Sequence, residues 1–257
     1  GHYIAKGAEL KFLMAELYGK LGGCSKGKGG SMHTVASEYG MLGTTAIVGG
    51  NIGLAVGAAL ASKMRRDGRV SVAFFGDGAV DEGVFHEALN FAALKKLAVV
   101  FVCENNFYAT NSPQSARHAQ DNIAKKAGGY GIDGIRVDGN DVLTVYATAK
   151  AAIGKARKSS LPALLECRTY RWRSHVGTEY DYEKRCRSKE ELQKWMAKCP
   201  IENYKRYLFR LGLVSNSDFK KMLEEIDSGI EEDLKFARQS PFPEKSQLFD
   251  HIYYKGG

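Results

Sequence analysis

"VAFFGDGAVDEG" (residues 72–83) passes from an apolar, aromatic run into an aspartate between two glycines and then into acidic, helix-forming sequence. By itself Gly-Asp-Gly marks a turn, because glycine accepts positive φ and aspartate hydrogen-bonds its own following backbone. A second apolar run, "LAVVFVCE" (97–104), follows after "DEGVFHEALNFAALKK", in which Phe85, Ala88, Leu89 and Ala92 share one face of a helix beginning near Asp81. Strand, helix, strand is a βαβ unit with parallel strands, and continuous apolar runs predict strands buried on both faces.

Downstream, "GIRVDGND" and "PALLECRTY" read as two further strands, with helical "VLTVYATAKAAIGKAR" between them. The fold class is therefore α/β, with a mostly parallel central sheet flanked by helices. Upstream, Leu10, Leu13, Met14 and Leu17 recur at helical spacing, and a glycine-rich loop, "GGCSKGKGGSMH", follows. The small-residue pattern of "TTAIVGGNIGLAVGAALASKM" predicts a buried helix packed closely on its neighbours. Beyond about residue 188 the sequence is helical and charged. The expected organisation is an α/β domain over 1–187 and a helical C-terminal extension over 188–257 packed on it.

At 257 residues, 44% hydrophobic and 26% charged, the chain has the composition of a soluble globular protein, and no apolar run approaches membrane-spanning length. Its net charge of +8 is scattered rather than gathered in a tail, with no nucleic-acid motif beside it, so a solvated surface is expected. Five cysteines without C-x-x-C spacing speak against a disulfide framework or a zinc site and for a reducing cytoplasm. The opening "GHYIAKGAEL" shows no leader and reads as the interior of a longer chain, so an upstream segment is expected.

Ligands of parallel sheets bind outside the carboxyl ends of the strands, where Asp77 leaves one strand and "ENNFYA" (104–109) leaves the next. A carboxylate, an asparagine oxygen and a backbone carbonyl are hard ligands of the kind Mg²⁺ or Ca²⁺ accepts. Magnesium would keep open positions for a diphosphate, whose remaining charge would suit the helix amino end near Asp81. The loop "GCSKGKGG" lacks the spacing of a nucleotide-hydrolysing phosphate loop.

"GDG" followed by "NN" in this register resembles the thiamine diphosphate fingerprint. With "GYGIDGIRVDGND" and "LLECRTYRWRSH" it extends to nearly the whole chain. The chain is similar to the alpha subunit of the decarboxylating thiamine diphosphate-dependent component of 2-oxo acid and acetoin dehydrogenase complexes. The resemblance implies a thiamine diphosphate-binding fold with thiamine diphosphate and Mg²⁺ as cofactors. Asp77, the Asn106 side chain and the Tyr108 carbonyl would be the metal ligands, and Asn105 a turn or supporting residue. Gly76, Gly78 and Ala79 would face the diphosphate, and the backbone of Ala46, Ile47 and Val48 the aminopyrimidine. Relatives usually carry glycine where Ala46 stands, but a backbone carbonyl does the work there. His175 would be the catalytic group beside the cofactor, exchanging protons or bonding a phosphate. His33 also matches a family histidine, with a structural hydrogen bond an equal reading, while His86, His118 and His251 read as surface or packing residues. The glycine-rich loop would help shape the cofactor entrance and the partner contact.

The resemblance further implies a beta subunit that supplies the activating glutamate, an α₂β₂ assembly, and a lipoyl acyltransferase as acceptor of the acyl group. Glu82 and Glu87 cannot replace that glutamate. An acetoin-cleaving or specialised biosynthetic enzyme of the same family is the alternative, and a non-catalytic partner-stabilising subunit the alternative of another class. Three departures stand out. The family's Tyr-Arg pair would fall upstream of residue 1. The loop "NSPQSARHAQDN" carries Arg117 but no arginine in the branched-chain register, and Val176 stands where mammalian relatives have a phosphorylated serine.

Overall fold

A computed structural model of the chain describes residues 1–183 and 186–250. In chain order its elements are α1 (His2–Ala5), α2 (Leu10–Leu17), α3 (Gly50–Arg65), β1 (Ser71–Gly76), α4 (Gly83–Leu94), β2 (Val99–Asn105), β3 (Tyr108–Ala109), β4 (Ser112–Pro113), β5 (Asp133–Asp138), α5 (Val142–Ser159), β6 (Ala163–Arg168), α6 (Lys189–Met196), α7 (Pro200–Arg210) and α8 (Asn216–Gln239), with short 3-10 turns between some of them. The chain forms two compact units, Ile47–Leu213 and Gly1–Ala46 with Val214–Gly257. The helices after residue 188 are thus divided between the units: α6 and α7 fall with the sheet, and α8 with the amino-terminal segment.

In the larger unit four parallel strands lie in the order β1-β2-β6-β5. The continuous apolar run of β2 has a direct explanation in the two core layers. Val99, Phe101 and Cys103 pack with α3 and α4, while Val100 and Val102 pack with α5 through Ala152 and Ala156. Alternate residues point to opposite faces, and both faces are covered. Full burial of a side chain such as Phe101 contributes about 1.5–3 kcal/mol, so this double layer is the main stabilising feature of the unit.

Two expectations need correction. β1 is an edge strand of this sheet, and Phe74 on it is 42% exposed, so it is not buried on both faces like β2. Helix α3 is buried on one face only, through Ile52, Ala55, Val56 and Ala59, and presents Leu54 and Met64 outward. Small residues permit close packing, but they do not by themselves tell which face of a helix receives it.

In the smaller unit, α2 packs on α8, with Phe12 and Phe236 edge to face at 5.8 Å between ring centres. The glycine-rich loop wraps a carboxylate of its own unit. Glu16, 1% exposed, accepts backbone N–H bonds from Ser25 (2.7 Å) and Gly27 (2.9 Å) on Oε2, and from Gly29 (2.7 Å) and Gly30 (3.1 Å) on Oε1. A Cβ at Gly23 would stand 2.3 Å from Glu16 Oε2, so glycine there is demanded by this internal anion nest. Glu16→Ala leaves four N–H donors without their acceptor and is expected to cost about 3 kcal/mol or more of stability. Urea unfolding followed by circular dichroism measures it, and a loss below about 1 kcal/mol would show that the loop does not depend on this carboxylate.

Candidate active site at the carboxyl ends of the strands

The register decides the geometry. Gly76 pairs with Glu104 across β1 and β2, and Asn105 pairs with Arg168 across β2 and β6. Asp77 and Asn105 therefore leave adjacent strands at one level. After Asp77 the chain turns through a 3-10 segment, Asp77–Asp81, and α4 begins only at Gly83, which corrects the expected helix start near Asp81. After Asn106 it makes a small hairpin, β3 on β4. A Cβ added at Gly78 would stand 2.8 Å from Ala109 Cβ, so the Gly-Asp-Gly turn lies directly against that hairpin. A Cβ at Gly76 would meet nothing within 4 Å, so packing does not require glycine there.

Asn105 is fully buried and holds the hairpin in place. Its Nδ2 donates to Glu166 Oε1 (2.8 Å) and Gln114 Oε1 (3.0 Å), and its Oδ1 accepts from the Phe107 N–H (3.0 Å). Glu166, also fully buried, accepts from the Ala124 N–H (2.9 Å) and Arg136 Nε (3.1 Å) on Oε2. Asn106 Oδ1 accepts from the Tyr108 N–H at 3.2 Å, which fixes which end of the amide is oxygen. Phe107 takes φ +71°, the left-handed conformation that turns the chain back on itself. Helix α6 lies over the hairpin: Tyr108 Oη donates to Glu191 (2.9 Å), and Trp195 stacks on Tyr170. Burial first, then the bond to Glu191, push the Tyr108 phenol up to about 12.

Asp77 itself is fully buried, with two different oxygens. Oδ2 is paired with Arg117 Nη2; Oδ1 is buried and has no hydrogen-bond donor. Arg117 also pairs with Asp81, whose other oxygen meets His118 Nε2 at 2.5 Å. Burial alone would push the Asp81 carboxyl up, and the hydrogen bonds from Arg117 and His118 outweigh it and hold it low. Neither the Arg117 bridge nor Asp81 was singled out as part of the site by the sequence. His118, expected as a surface or packing residue, instead joins this ion-pair network, its side chain 4% exposed between Asp81 and Gln114.

His175 is exposed on the loop after β6, and Arg171 ties that loop to the hairpin. Arg171 donates to His175 Nδ1 (3.1 Å), the Thr110 carbonyl (2.9 Å) and Asp181 Oδ2 (3.0 Å). A guanidinium only donates, so His175 Nδ1 accepts and Nε2 carries the proton of the neutral ring. Asp181 is also paired with Arg187. Burial would raise the Asp181 carboxyl, but the hydrogen bonds it accepts outweigh that and lower it from 3.8. The stability it lends is therefore present above about 3.8 and lost as pH falls below that. Asp181→Asn is expected to loosen the loop already at neutral pH, seen as several-fold faster trypsin cleavage between residues 170 and 190. Unchanged cleavage would show that the Asp181 ion pairs do not hold it.

Of the remaining expected residues, Ile47 and Val48 open the larger unit, exposed at 71% and 57%. Ala46 and His33 belong to the smaller one, and the His33 carbonyl accepts from Ser25 Oγ at 2.7 Å. Ala79 is buried within the turn, and His86 bonds Tyr130 at 2.7 Å. His251 lies outside the described residues. Among the described residues no cluster of three or more His, Cys, Asp or Glu side chains could hold a metal, none of the five cysteines is in a disulfide, and no helix is long and apolar enough to cross a membrane. A metal at this site would have Asp77 as its carboxylate and neutral oxygens beside it. Asp77 Oδ1, buried without a donor, fits a cation.

The family described as dehydrogenase E1 component matches residues 1–246. The chain belongs to that family. It is 42% identical over 264 residues to the alpha subunit of acetoin:2,6-dichlorophenolindophenol oxidoreductase of Bacillus subtilis, covering 100% of this chain and 77% of the relative. It is 41% identical to the chloroplastic pyruvate dehydrogenase E1 component subunit alpha-3 of Arabidopsis thaliana, over 98% of this chain and 60% of the relative. With the pyruvate dehydrogenase E1 component subunit alpha of Zymomonas mobilis it shares 39% identity, over 98% of this chain and 70% of the relative. This E1 chain thus spans between three fifths and about three quarters of the length of these relatives.

Proposed function

We propose that this chain is the alpha subunit of a thiamine diphosphate- and Mg²⁺-dependent 2-oxo acid dehydrogenase of the pyruvate dehydrogenase kind. It would decarboxylate a 2-oxo acid and pass the acyl group to a lipoyl carrier. The observation that carries this reading is the buried Asp77 with its donorless Oδ1, set at the carboxyl end of β1 against the hairpin that follows β2. The E1 family implies thiamine diphosphate, which when bound supplies an electron sink for carbanion chemistry.

The roles of the chain follow from its own atoms. Asp77 Oδ1, Asn106 Oδ1 and the Tyr108 carbonyl would hold Mg²⁺, the Asn106 oxygen being already oriented by the Tyr108 N–H. Gly78 and Ala79, in the turn after β1, would offer amides to the diphosphate, with Gly76 beside them, and the backbone of Ala46, Ile47 and Val48 would line the aminopyrimidine. His175 would hold or move a proton at Nε2, its ring oriented by Arg171. We assign the cofactor-binding work to residues 1–187, and to 188–257 a supporting helical role.

Neither Glu82 nor Glu87, both exposed, replaces an activating glutamate, so the enzyme requires a beta subunit, in an α₂β₂ assembly. The outward Ile47, Val48 and Leu54 support a partner surface on this unit. Five cysteines outside any disulfide, with burial pushing Cys167 up to about 11, suit the cytoplasm. The similarity to the Bacillus subtilis acetoin enzyme favours acetoin cleavage as the second reading.

Co-expression with the companion beta chain separates the readings. Release of carbon dioxide from a 2-oxo acid supports the dehydrogenase and release of acetaldehyde from acetoin supports the second reading. The chain alone is expected to be inactive; turnover by it alone at the rate of the mixture would overturn the two-subunit view.

A further inference from the structure

Arg117 is one guanidinium serving two carboxylates at the point where the proposed cation would sit. Its Nη2 is paired with Asp77 Oδ2, and its Nη1 is paired with Asp81 and lies 3.5 Å from the Asp77 carbonyl. The side chain is 14% exposed, and its Nε is buried with no acceptor. The backbone that carries it is fixed: the Arg117 and His118 N–H groups donate to the Gln114 carbonyl at 3.0 and 2.8 Å, and the Gln114 side chain is tied to Asn105. Arg117 therefore reaches Asp77 because the hairpin puts it there, not because a loose side chain has wandered in.

We propose that Arg117 is an internal counter-ion that competes with a divalent cation for Asp77, so that the chain takes up the cation and a diphosphate together and the cation alone only weakly. The inference rests on the reading of Asp77 as a metal carboxylate. The competition is electrostatic. A buried carboxylate must be compensated, and Arg117 compensates it in the absence of metal. A cation arriving alone meets a guanidinium a few ångströms away and has to displace a charge-assisted bond. A diphosphate changes the balance, because its oxygens give the guanidinium fork a new acceptor and also give the unpartnered Nε one. Releasing Asp77 then costs Arg117 little. Binding of the two ligands is coupled through one side chain, and coupling of this kind is reciprocal.

The test is a Mn²⁺ titration of the apo-protein, in the assembly in which it purifies, with free ion counted by electron paramagnetic resonance, with and without inorganic pyrophosphate. Asp77→Asn provides the baseline for chelation by pyrophosphate in solution. The wild type is expected to bind Mn²⁺ weakly alone and about tenfold or more tightly with pyrophosphate, and Arg117→Gln to bind Mn²⁺ alone about tenfold more tightly than the wild type with the coupling largely gone. Arg117→Lys, which keeps the charge and loses the fork, is expected to lie between and carries the comparison if Arg117→Gln does not fold. Equal Mn²⁺ affinity in wild type and Arg117 variants, with binding abolished by Asp77→Asn, overturns the counter-ion and leaves the metal site standing. Absence of Asp77-dependent binding in every protein, even with pyrophosphate, overturns the metal reading and this inference with it.

Discussion

Asp77→Ala in the assembled enzyme is expected to lower Mg²⁺-dependent cofactor affinity by about two orders of magnitude or more, and activity with it. The reasoning starts from charge. Among the oxygens assigned to the metal, Asp77 supplies the one full negative charge, and the Asn106 amide and Tyr108 carbonyl are neutral. Removing the carboxylate leaves the dication with only neutral protein ligands beside Arg117. The fold should survive, because Arg117 keeps Asp81 as a partner and the lost Oδ1 satisfied no donor. Isothermal calorimetry with thiamine diphosphate and Mg²⁺ reads the affinity, and a thermal melt reads the fold. Unchanged calorimetric affinity in a folded variant would remove Asp77 from the site.

Glu166→Ala should produce the largest loss of stability, about 3–5 kcal/mol. Glu166 is fully buried on β6, between β2, which leads into the site, and the edge strand β5. Its truncation strands the Ala124 N–H and Arg136 Nε and deprives Asn105 Nδ2 of one of its two acceptors. Because Asn105 Oδ1 fixes the turn at Phe107, the hairpin carrying Asn106 and Tyr108 is expected to loosen as well. Urea unfolding measures the first effect, and faster amide hydrogen exchange over residues 105–118 measures the second. A variant within about 1 kcal/mol of the wild type would show that water or a rearranged Arg136 replaces the carboxylate.

Much of this architecture is legible in residue order. The runs at 69–75 and 97–104 contain most of β1 and β2, and "DEGVFHEALNFAALKK" contains α4, because β-branched and aromatic residues crowd into strands, continuously so in the doubly covered β2, and burial on one face leaves a helical period. The start of α4 was misplaced because Asp81 and Glu82 favour a helix amino end by propensity, while the chain spends 77–81 in a tighter turn against the hairpin. The exposure of α3 and β1 was not legible either. Apolar residues that await a partner and apolar residues already covered have the same letters.

Residue types and spacing by themselves determined the parallel α/β sheet and the placing of Asp77 and Asn106 at strand ends, and the resemblance of the motifs to a known family pointed to the family to which the chain belongs. These depend on local periodicity and on motif text, which need no knowledge of distant contacts. Only the tertiary structure decided that Asp77 has one oxygen paired with Arg117 and the other without a donor, that Glu16 fills the glycine-rich loop, and that Arg171 orients His175. Ion pairs and hydrogen bonds between groups far apart in the chain act over a few ångströms, and strand register and hairpin geometry set those distances.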